Sequence, residues 1–377
     1  MKRNPFTTNG YAGAEYFCDR VSETGIIVDL LSSQNNLALI SPRRMGKTDL
    51  IRHCLNQPEL KDHCYTFEVD IYSTNSLNDF IDVLGKAVLE TLRTKGRNVW
   101  EGFLNVISSV RSEISFDMMG NPVWGLGLGQ ITNPITTLGE IFEYLQNANR
   151  PCIVAIDEFQ QILKYPDGEK VEALLRTHIQ RCSNANFIFS GSHRHIMSGM
   201  FVTPSRPFYQ SVTIINLQPI PLEKYKMFCH SKFQEANKAL ADDVVEVLYS
   251  RFNSTTMYLQ KVMNILFTMT DEGETCTADM IDAAVKRLLD FASDTYETIL
   301  CQMPEKQRNL FLAISAEGRA ESISGGQFVR KYRLPSSSSV LSAVKGLLDK
   351  DFVTQDKGTY STYDLFFVEW LRMKKMI

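Results

Sequence analysis

Ser41-Pro42-Arg43-Arg44-Met45-Gly46-Lys47-Thr48, read as SPRRMGKT, is the stretch that decides the fold. A phosphate-binding loop has the pattern G-x-x-x-x-G-K-[ST], and Ser41 stands where the first glycine belongs. Such a loop needs a strand before it and a helix behind it. Leu37-Ala38-Leu39-Ile40 supplies the apolar strand, and a helical pattern begins at about Gly46 and runs through Lys47-Thr48-Asp49-Leu50-Ile51. Backbone N–H groups at the helix N-terminus then cradle phosphate, a lysine reaches the β and γ oxygens, and a hydroxyl ligates Mg²⁺. Gly46 lets the backbone come close, while Lys47 and Thr48 bring the charge and the ligand. The first loop position mainly needs a small side chain at the strand exit, which Ser41 provides while Pro42 stiffens the turn. Ser41, Pro42, Arg43, Arg44, Met45, Gly46, Lys47, Thr48 and Asp49 form the candidate nucleotide-binding set. For Arg43 and Arg44, phosphate contact and pairing with nearby acids are both open.

About 110 residues downstream, Cys152-Ile153-Val154-Ala155-Ile156-Asp157-Glu158 is a fully apolar strand ending in two adjacent carboxylates. Alone, this is an ordinary strand meeting solvent; paired with the loop it is what metal-dependent phosphoryl transfer requires. Asp157 is placed as the second Mg²⁺ residue beside Thr48, and Glu158 as the base that polarises the attacking water. A third apolar strand, Phe187-Ile188-Phe189-Ser190-Gly191-Ser192, ends in hydroxyls. In a sheet of this class it slots between the loop strand and the Asp-Glu strand, so Ser190 or Ser192 faces the γ-phosphate, with a plain Ser-Gly turn as the alternative.

Working outward, five strand-like runs alternate with amphipathic helices: Leu37 to Ile40, Tyr65 to Asp70, Cys152 to Ile156, Phe187 to Phe189 and Val212 to Leu217. This predicts an α/β fold with a parallel sheet covered on both faces over residues 1–220. Residues 113–129 carry the turn Gly120-Asn121-Pro122 between two strand-like arms and read as an inserted β-hairpin, with an irregular loop as the alternative. Residues 221–302 are helical throughout, apolar at i, i+3 and i+4, and read as a helical lid. Residues 303–377 show three helices followed by strands at Phe352 to Gln355 and Thr359 to Phe367 around Lys357-Gly358, the order of a winged helix. Its third helix places Val340, Leu341, Val344, Leu347 and Leu348 on the core face.

The 377 residues are 44% hydrophobic and 22% charged, a globular composition long enough for two or three domains. No apolar run is long enough to span a membrane and MKRNPFTTNG is not a signal peptide, so the expected location is the cytoplasm. The eight scattered cysteines lack a C-x-x-C pair and read as reduced thiols. Net charge is −3, but residues 301–377 hold 12 basic against 8 acidic residues, a local +4 that leaves −7 for the rest.

Together these stretches resemble the archaeal-type ATPase group of AAA+/STAND-like P-loop NTPases. Phe17-Cys18-Asp19-Arg20-Val21-Ser22-Glu23 is similar to the group's F-x-x-R-x-x-E, and SPRRMGKT to its G-P-R-R-x-G-K-T (Walker A). IDEFQ at 156–160 (Walker B), FSGS at 189–192, Leu217-Gln218-Pro219-Ile220 and Met257-Tyr258-Leu259-Gln260 also correspond. The resemblance covers nearly the whole chain and implies ATP and Mg²⁺ as cofactors. Two departures stand out. Thr255-Thr256-Met257-Tyr258 lacks the lid arginine that AAA+ proteins use as a second sensor. The group's arginine before the fifth strand corresponds loosely to Arg206, making Arg206 a candidate γ-phosphate contact in cis or from a neighbouring copy, or else a solvated loop residue.

The resulting expectation is a slowly hydrolysing ATPase switch, Mg-ATP setting the orientation of lid and winged helix, with Glu158, Lys47, Ser192 and Arg206 as its catalytic candidates. The alternative is a nucleotide-stabilised DNA-binding or scaffolding module with vestigial hydrolysis. Arg330, Lys331, Arg333 and Lys357 offer weak backbone contact to double-stranded DNA. A protein partner or an internal clamp is the other reading of that domain, and oligomerisation is open.

Overall fold

Leu37 and Leu39 face one side of a sheet and Ala38 and Ile40 the other, and all four are buried. A strand apolar at consecutive positions needs cover on both faces, as a parallel sheet with helices on each side provides. The computed structural model describes residues 3–110, 114–124 and 131–377, and contains this sheet: β1 (Leu37–Ile40), β2 (Tyr65–Asp70), β5 (Cys152–Asp157), β6 (Ala185–Gly191) and β7 (Thr213–Asn216), while β3 (Ile114–Phe116) and β4 (Pro122–Trp124) form a separate hairpin. All pairings are parallel and the order is β2-β5-β6-β1-β7. β6 lies between the loop strand and the Asp-Glu strand, as expected. Register sets Ile40 against Gly191 and Asp70 against Asp157, so the ends of β1, β5 and β6 open on one edge.

One face of the sheet packs on the helices Leu77–Arg93, Pro134–Asn147 and Gly168–Arg181, the other on Val21–Ser32 and Lys47–Leu55. A cluster of phenylalanines, Phe159, Phe187, Phe189, Phe201 and Phe208, fills the first side. The hairpin pairs β3 (Ile114–Phe116) with β4 (Pro122–Trp124) around Gly120, whose φ of 76° suits glycine. Trp124 donates from Nε1 to Asp82 at 2.8 Å and packs against Gly85, where any Cβ would collide with the indole. That contact explains a glycine inside the helix Leu77–Arg93. Residues 113 and 125–129 of the expected hairpin lie outside the described residues.

The chain divides into two units, Asn9–Ile220 around this sheet, and Pro221–Ile377 together with the N-terminal residues up to Thr8. In the second unit the helices Leu222–Gln234, Asp242–Arg251, Thr256–Met269 and Met280–Gln302 follow the predicted periodicity, joined by a short parallel bridge of β8 (Ala239–Leu240) with β9 (Thr275–Cys276). Phe6 is completely buried there, ringed by Phe228, Phe233 and Phe267 at 5.8–5.9 Å, and its carbonyl accepts from Asn264 Nδ2 at 2.7 Å.

The helices Glu305–Glu317, Gly326–Lys331 and Ser337–Asp349 lead into β10 (Val353–Asp356) and β11 (Thr359–Thr362), antiparallel around Lys357 and Gly358, both with positive φ. These values are those of a tight two-residue hairpin turn. Two details depart from the sequence reading. β11 stops at Thr362, and the helix Leu365–Met373 follows, with the Asp364 carboxylate accepting the N–H of Phe366 at 3.0 Å. Phe366, Phe367 and Trp370 have helical spacing and bury against Phe252, Tyr258, Tyr296 and Phe311, so tertiary packing overrides a strand-like run. Leu341 also leaves the core face and is 55% exposed. Tyr258 Oη reaches Asp364 at 3.2 Å, and Arg251 pairs with Glu369 and Asp282, each at 2.6 Å, so helices from both segments are bound into this unit.

Candidate nucleotide site

Where β1 ends, the buried Ser41 donates its N–H to the Gly191 carbonyl of β6 at 3.4 Å, and its hydroxyl turns back to the Pro42 carbonyl at 3.0 Å. A small polar residue therefore fits the glycine position. The loop then takes left-handed backbone at Arg44 (φ 70°) and Gly46 (φ 85°) before the helix Lys47–Leu55 begins. Alternating backbone of this kind aims successive N–H groups inward, the arrangement that binds anions. Met45 is buried beneath the sheet, so its backbone is its contribution.

Lys47 is buried and donates from Nζ to the carbonyls of Ser41 at 3.0 Å and Pro42 at 3.3 Å. Burial pushes its pKa down; Glu158 and then Asp157 pull it back up, and Arg43 adds to the lowering. Thr48 Oγ1 donates to Asp157 Oδ2 at 2.8 Å, and Ser190 Oγ to Asp157 Oδ1 at 2.7 Å. Glu158, in left-handed backbone at φ 56°, accepts on Oε2 from Ser192 Oγ at 2.6 Å and from Gln160 Nε2. Arg43 donates from Nε to Ser192 Oγ at 3.2 Å, lies 3.9 Å from Glu158 Oε1, and stacks over the Tyr72 ring at 5.1 Å. Asp49 is turned toward the N-terminal stretch, where it accepts the N–H of Tyr11; burial raises its pKa and Arg52 opposes that.

The sheet thus brings together the loop, Thr48, Asp157, Glu158 and both serines. Ser190 and Ser192 sit two residues apart on β6 and its exit, hence on one face, and divide the carboxylates between them. Gln160 and Tyr72 were missed. Gln160 lies two residues beyond Glu158, and a Cβ on Gly191 would collide with it and with Met197, which gives that glycine its reason. Arg206 joins another group, pairing with Glu169 at 3.1 Å and with the wholly buried Glu172. Burial raises the Glu172 pKa to about 7 against the opposing pull of Arg206. In the F-x-x-R-x-x-E stretch, Arg20 pairs with Glu23 at 2.6 Å and donates to the Gln218 carbonyl beyond β7 at 2.7 Å, fastening the leading helix to the sheet's last exit.

Comparison with solved structures follows the same outline. A Walker-type ATPase of Pyrococcus abyssi superposes with a TM-score of 0.63 at 17% identity, covering 98% of this chain and 99% of that one. The chain has the fold of a Walker-type ATPase. This AAA+-like fold is shared with the ORC2 protein of Aeropyrum pernix in its ADPNP-ADP complexes (TM-score 0.58, 12% identity, 100% and 99% covered). The ORC1 protein of the same organism, solved in complex with DNA, gives 0.54 at 12% identity over 96% and 95%. A family described as "Probable winged helix domain" matches residues 294–373 of this Walker-type fold. No curated protein matches the sequence. Among the described residues no helix is long and apolar enough to cross a membrane.

Mg²⁺ fits the residues of the site. Among the described residues no group of three or more His, Cys, Asp or Glu side chains is poised for a metal. Mg²⁺ asks for less, commonly one or two carboxylates with waters and substrate phosphates. Thr48 Oγ1 and Asp157 Oδ2, two hard oxygens side by side, are such a set.

Proposed function

We propose that the chain is a Mg-ATP-dependent ATPase that works as a molecular switch, its winged-helix unit responding to the state of the nucleotide. The observation that carries this reading is the 2.8 Å contact between Thr48 and Asp157, with Lys47 on one side and Glu158 on the other. Loop N–H groups and Lys47 bind the phosphates, and Thr48 and Asp157 hold Mg²⁺, which when bound neutralises charge on the β and γ oxygens. Glu158 accepts a proton from water as the water oxygen bonds to Pγ. The bond from Pγ to the bridging oxygen breaks with its electron pair on ADP, and ADP and phosphate leave. A switch needs unequal affinity for ATP and ADP states, so the lid and winged helix, bound to each other through Tyr258, Asp364, Arg251 and Glu369, are expected to respond as one body.

The neighbour solved with DNA and the winged-helix match support a nucleic-acid partner for the basic C-terminal segment. Lys331 is paired with Glu317 at 2.6 Å, which leaves Arg330, Arg333 and Lys357 as the main phosphate contacts. The deciding experiment is calorimetry of Mg-ATP binding to the parent and to Lys47→Ala. The parent binds, and the variant loses binding while still unfolding cooperatively, with a midpoint lowered by the loss of the Ser41 and Pro42 contacts. Equal affinity in both refutes this site.

A further inference from the structure

We infer that Met118 and Met119, side by side at the apex of the inserted hairpin, form a site of reversible methionine oxidation that the fold holds open to peroxides. Among the described residues they are the two most exposed methionines, at 106% and 89%, against 68% for Met227 and 46% for Met376. Met197, Met200 and Met263 lie at the other extreme and are fully buried. Oxidation of methionine follows the access of the oxidant to sulfur, so this spread in exposure is a spread in reactivity.

The local backbone accounts for the exposure. Gly120 donates its N–H to the Asp117 carbonyl at 2.9 Å, so Met118 and Met119 take the two central positions of a four-residue turn. The Asp117 carboxylate accepts the N–H groups of Met119 and Asn121, each at 2.9 Å, and pairs with Arg93 at 3.4 Å. Such a carboxylate fixes a turn without help from the side chains between. At the base of the hairpin, Trp124 donates to Asp82 and packs against Gly85. The turn backbone, one carboxylate and an indole therefore hold the hairpin, and the two thioethers are left outside that framework.

In the reaction, a methionine sulfur attacks one oxygen of hydrogen peroxide. The S–O bond forms as the O–O bond breaks, and the proton on the attacked oxygen passes to the departing one, which leaves as water. Sulfur loses two electrons and the peroxide gains them. Methionine sulfoxide reductases reverse the change with a dithiol, which becomes a disulfide as the oxygen leaves as water. A sulfoxide at Met197 or Met200 would place a polar S=O group among the buried phenylalanines, away from solvent. At the apex both sulfoxides are hydrated. The end of the hairpin, where Phe116 is also exposed, then changes from apolar to polar while its backbone stays in place. None of this chemistry needs a nucleotide, so it holds independently of the phosphate-binding loop.

The test treats the full chain with hydrogen peroxide and follows each methionine by tandem mass spectrometry, which counts oxygen taken up by the exposed Cys301 separately. Met118 and Met119 should each gain one oxygen at least about tenfold faster than Met197, Met200 and Met263. In guanidinium chloride the same rates should converge to within about twofold, because only the fold sets their order. A chain oxidised just to saturation of the apex should keep its thermal midpoint, and so should Met118→Leu combined with Met119→Leu. Methionine sulfoxide reductases for both epimers, supplied with dithiothreitol, should return the apex to thioethers. Apex uptake no faster than at the buried methionines, or an order of rates that persists in guanidinium chloride, would overturn the inference. So would a lowered midpoint in the double variant, or apex oxygens that the reductases leave in place.

Discussion

Replacing Glu158 by glutamine separates binding from chemistry, and the contacts define what it should do. Oε2 accepts from Ser192 at 2.6 Å and from Gln160, so a glutamine whose carbonyl oxygen takes that place keeps both donors satisfied. Its NH₂ then takes the place of Oε1, 3.9 Å from Arg43, and a weak ion pair is lost. At 3.9 Å the pair is beyond hydrogen-bond reach, and the variant should stay folded because both donors to Oε2 remain satisfied. Removing the proposed base is a larger change. General-base catalysis contributes about 10²–10⁴ in rate, or roughly 2.7–5.4 kcal/mol of barrier at about 1.36 kcal/mol per tenfold. Thr48 and Asp157 are untouched, so Mg-ATP should still bind. Single-turnover phosphate release at saturating Mg-ATP, set beside a calorimetric affinity, measures the two effects separately. Release within a few-fold of the parent would remove Glu158 from the chemistry, and loss of ATP binding would show that its role is structural.

Other perturbations follow from particular contacts. Phe6→Ala empties a fully buried aromatic site and should cost about 3–5 kcal/mol, read as an earlier denaturant midpoint for the helical unit. Gly85→Ala drives a methyl into Trp124, so it should lower the thermal midpoint, and adding Trp124→Ala should remove that penalty. Glu172 has a folded pKa raised to about 7, so the native state holds a proton that the unfolded chain releases from about 4.5 upward. Its stabilising contribution is whole below about 4.5 and is lost as pH rises to about 7, by at most about 3.5 kcal/mol at about 1.4 per unit. Glu172→Gln should flatten the midpoint-against-pH curve over that window, and an unchanged slope would refute the assignment. Duplex DNA binding by Arg330, Arg333 and Lys357 should fall with salt at a log-log slope near −3, from about −0.9 per phosphate. Absence of binding at low salt with either nucleotide would favour a protein partner.

The sheet was legible because β1 and the body of β5 are apolar at consecutive positions and the loop fixes their direction. The site was legible where the chemistry is carried by neighbours in sequence, as in Gly46-Lys47-Thr48 and Asp157-Glu158. It was less legible where register decides: that Ser190 goes to Asp157 and Ser192 to Glu158 depends on how far β6 extends beside β5. Gln160 and Tyr72 join the site through turns, where periodicity says nothing. Leu365 to Phe367, the first residues of the helix Leu365–Met373, read as strand because aromatic residues fit either state, and only the pocket formed by Tyr258, Tyr296 and Phe311 chooses between them.

The burial of Phe6 among Phe228, Phe233 and Phe267 has a consequence for how the protein is made. Phe6 leaves the ribosome about 260 residues ahead of Phe267, the last wall of its pocket. At roughly 5–20 residues per second, that wall emerges roughly 13–50 s after Phe6 does. All five strands of the sheet are synthesised within that interval, so the parallel sheet can assemble while Phe6 is still undocked. Docking of Phe6 is then a late event in biogenesis, and a chaperone or protease that reads exposed aromatics has its opportunity before the helical unit is complete.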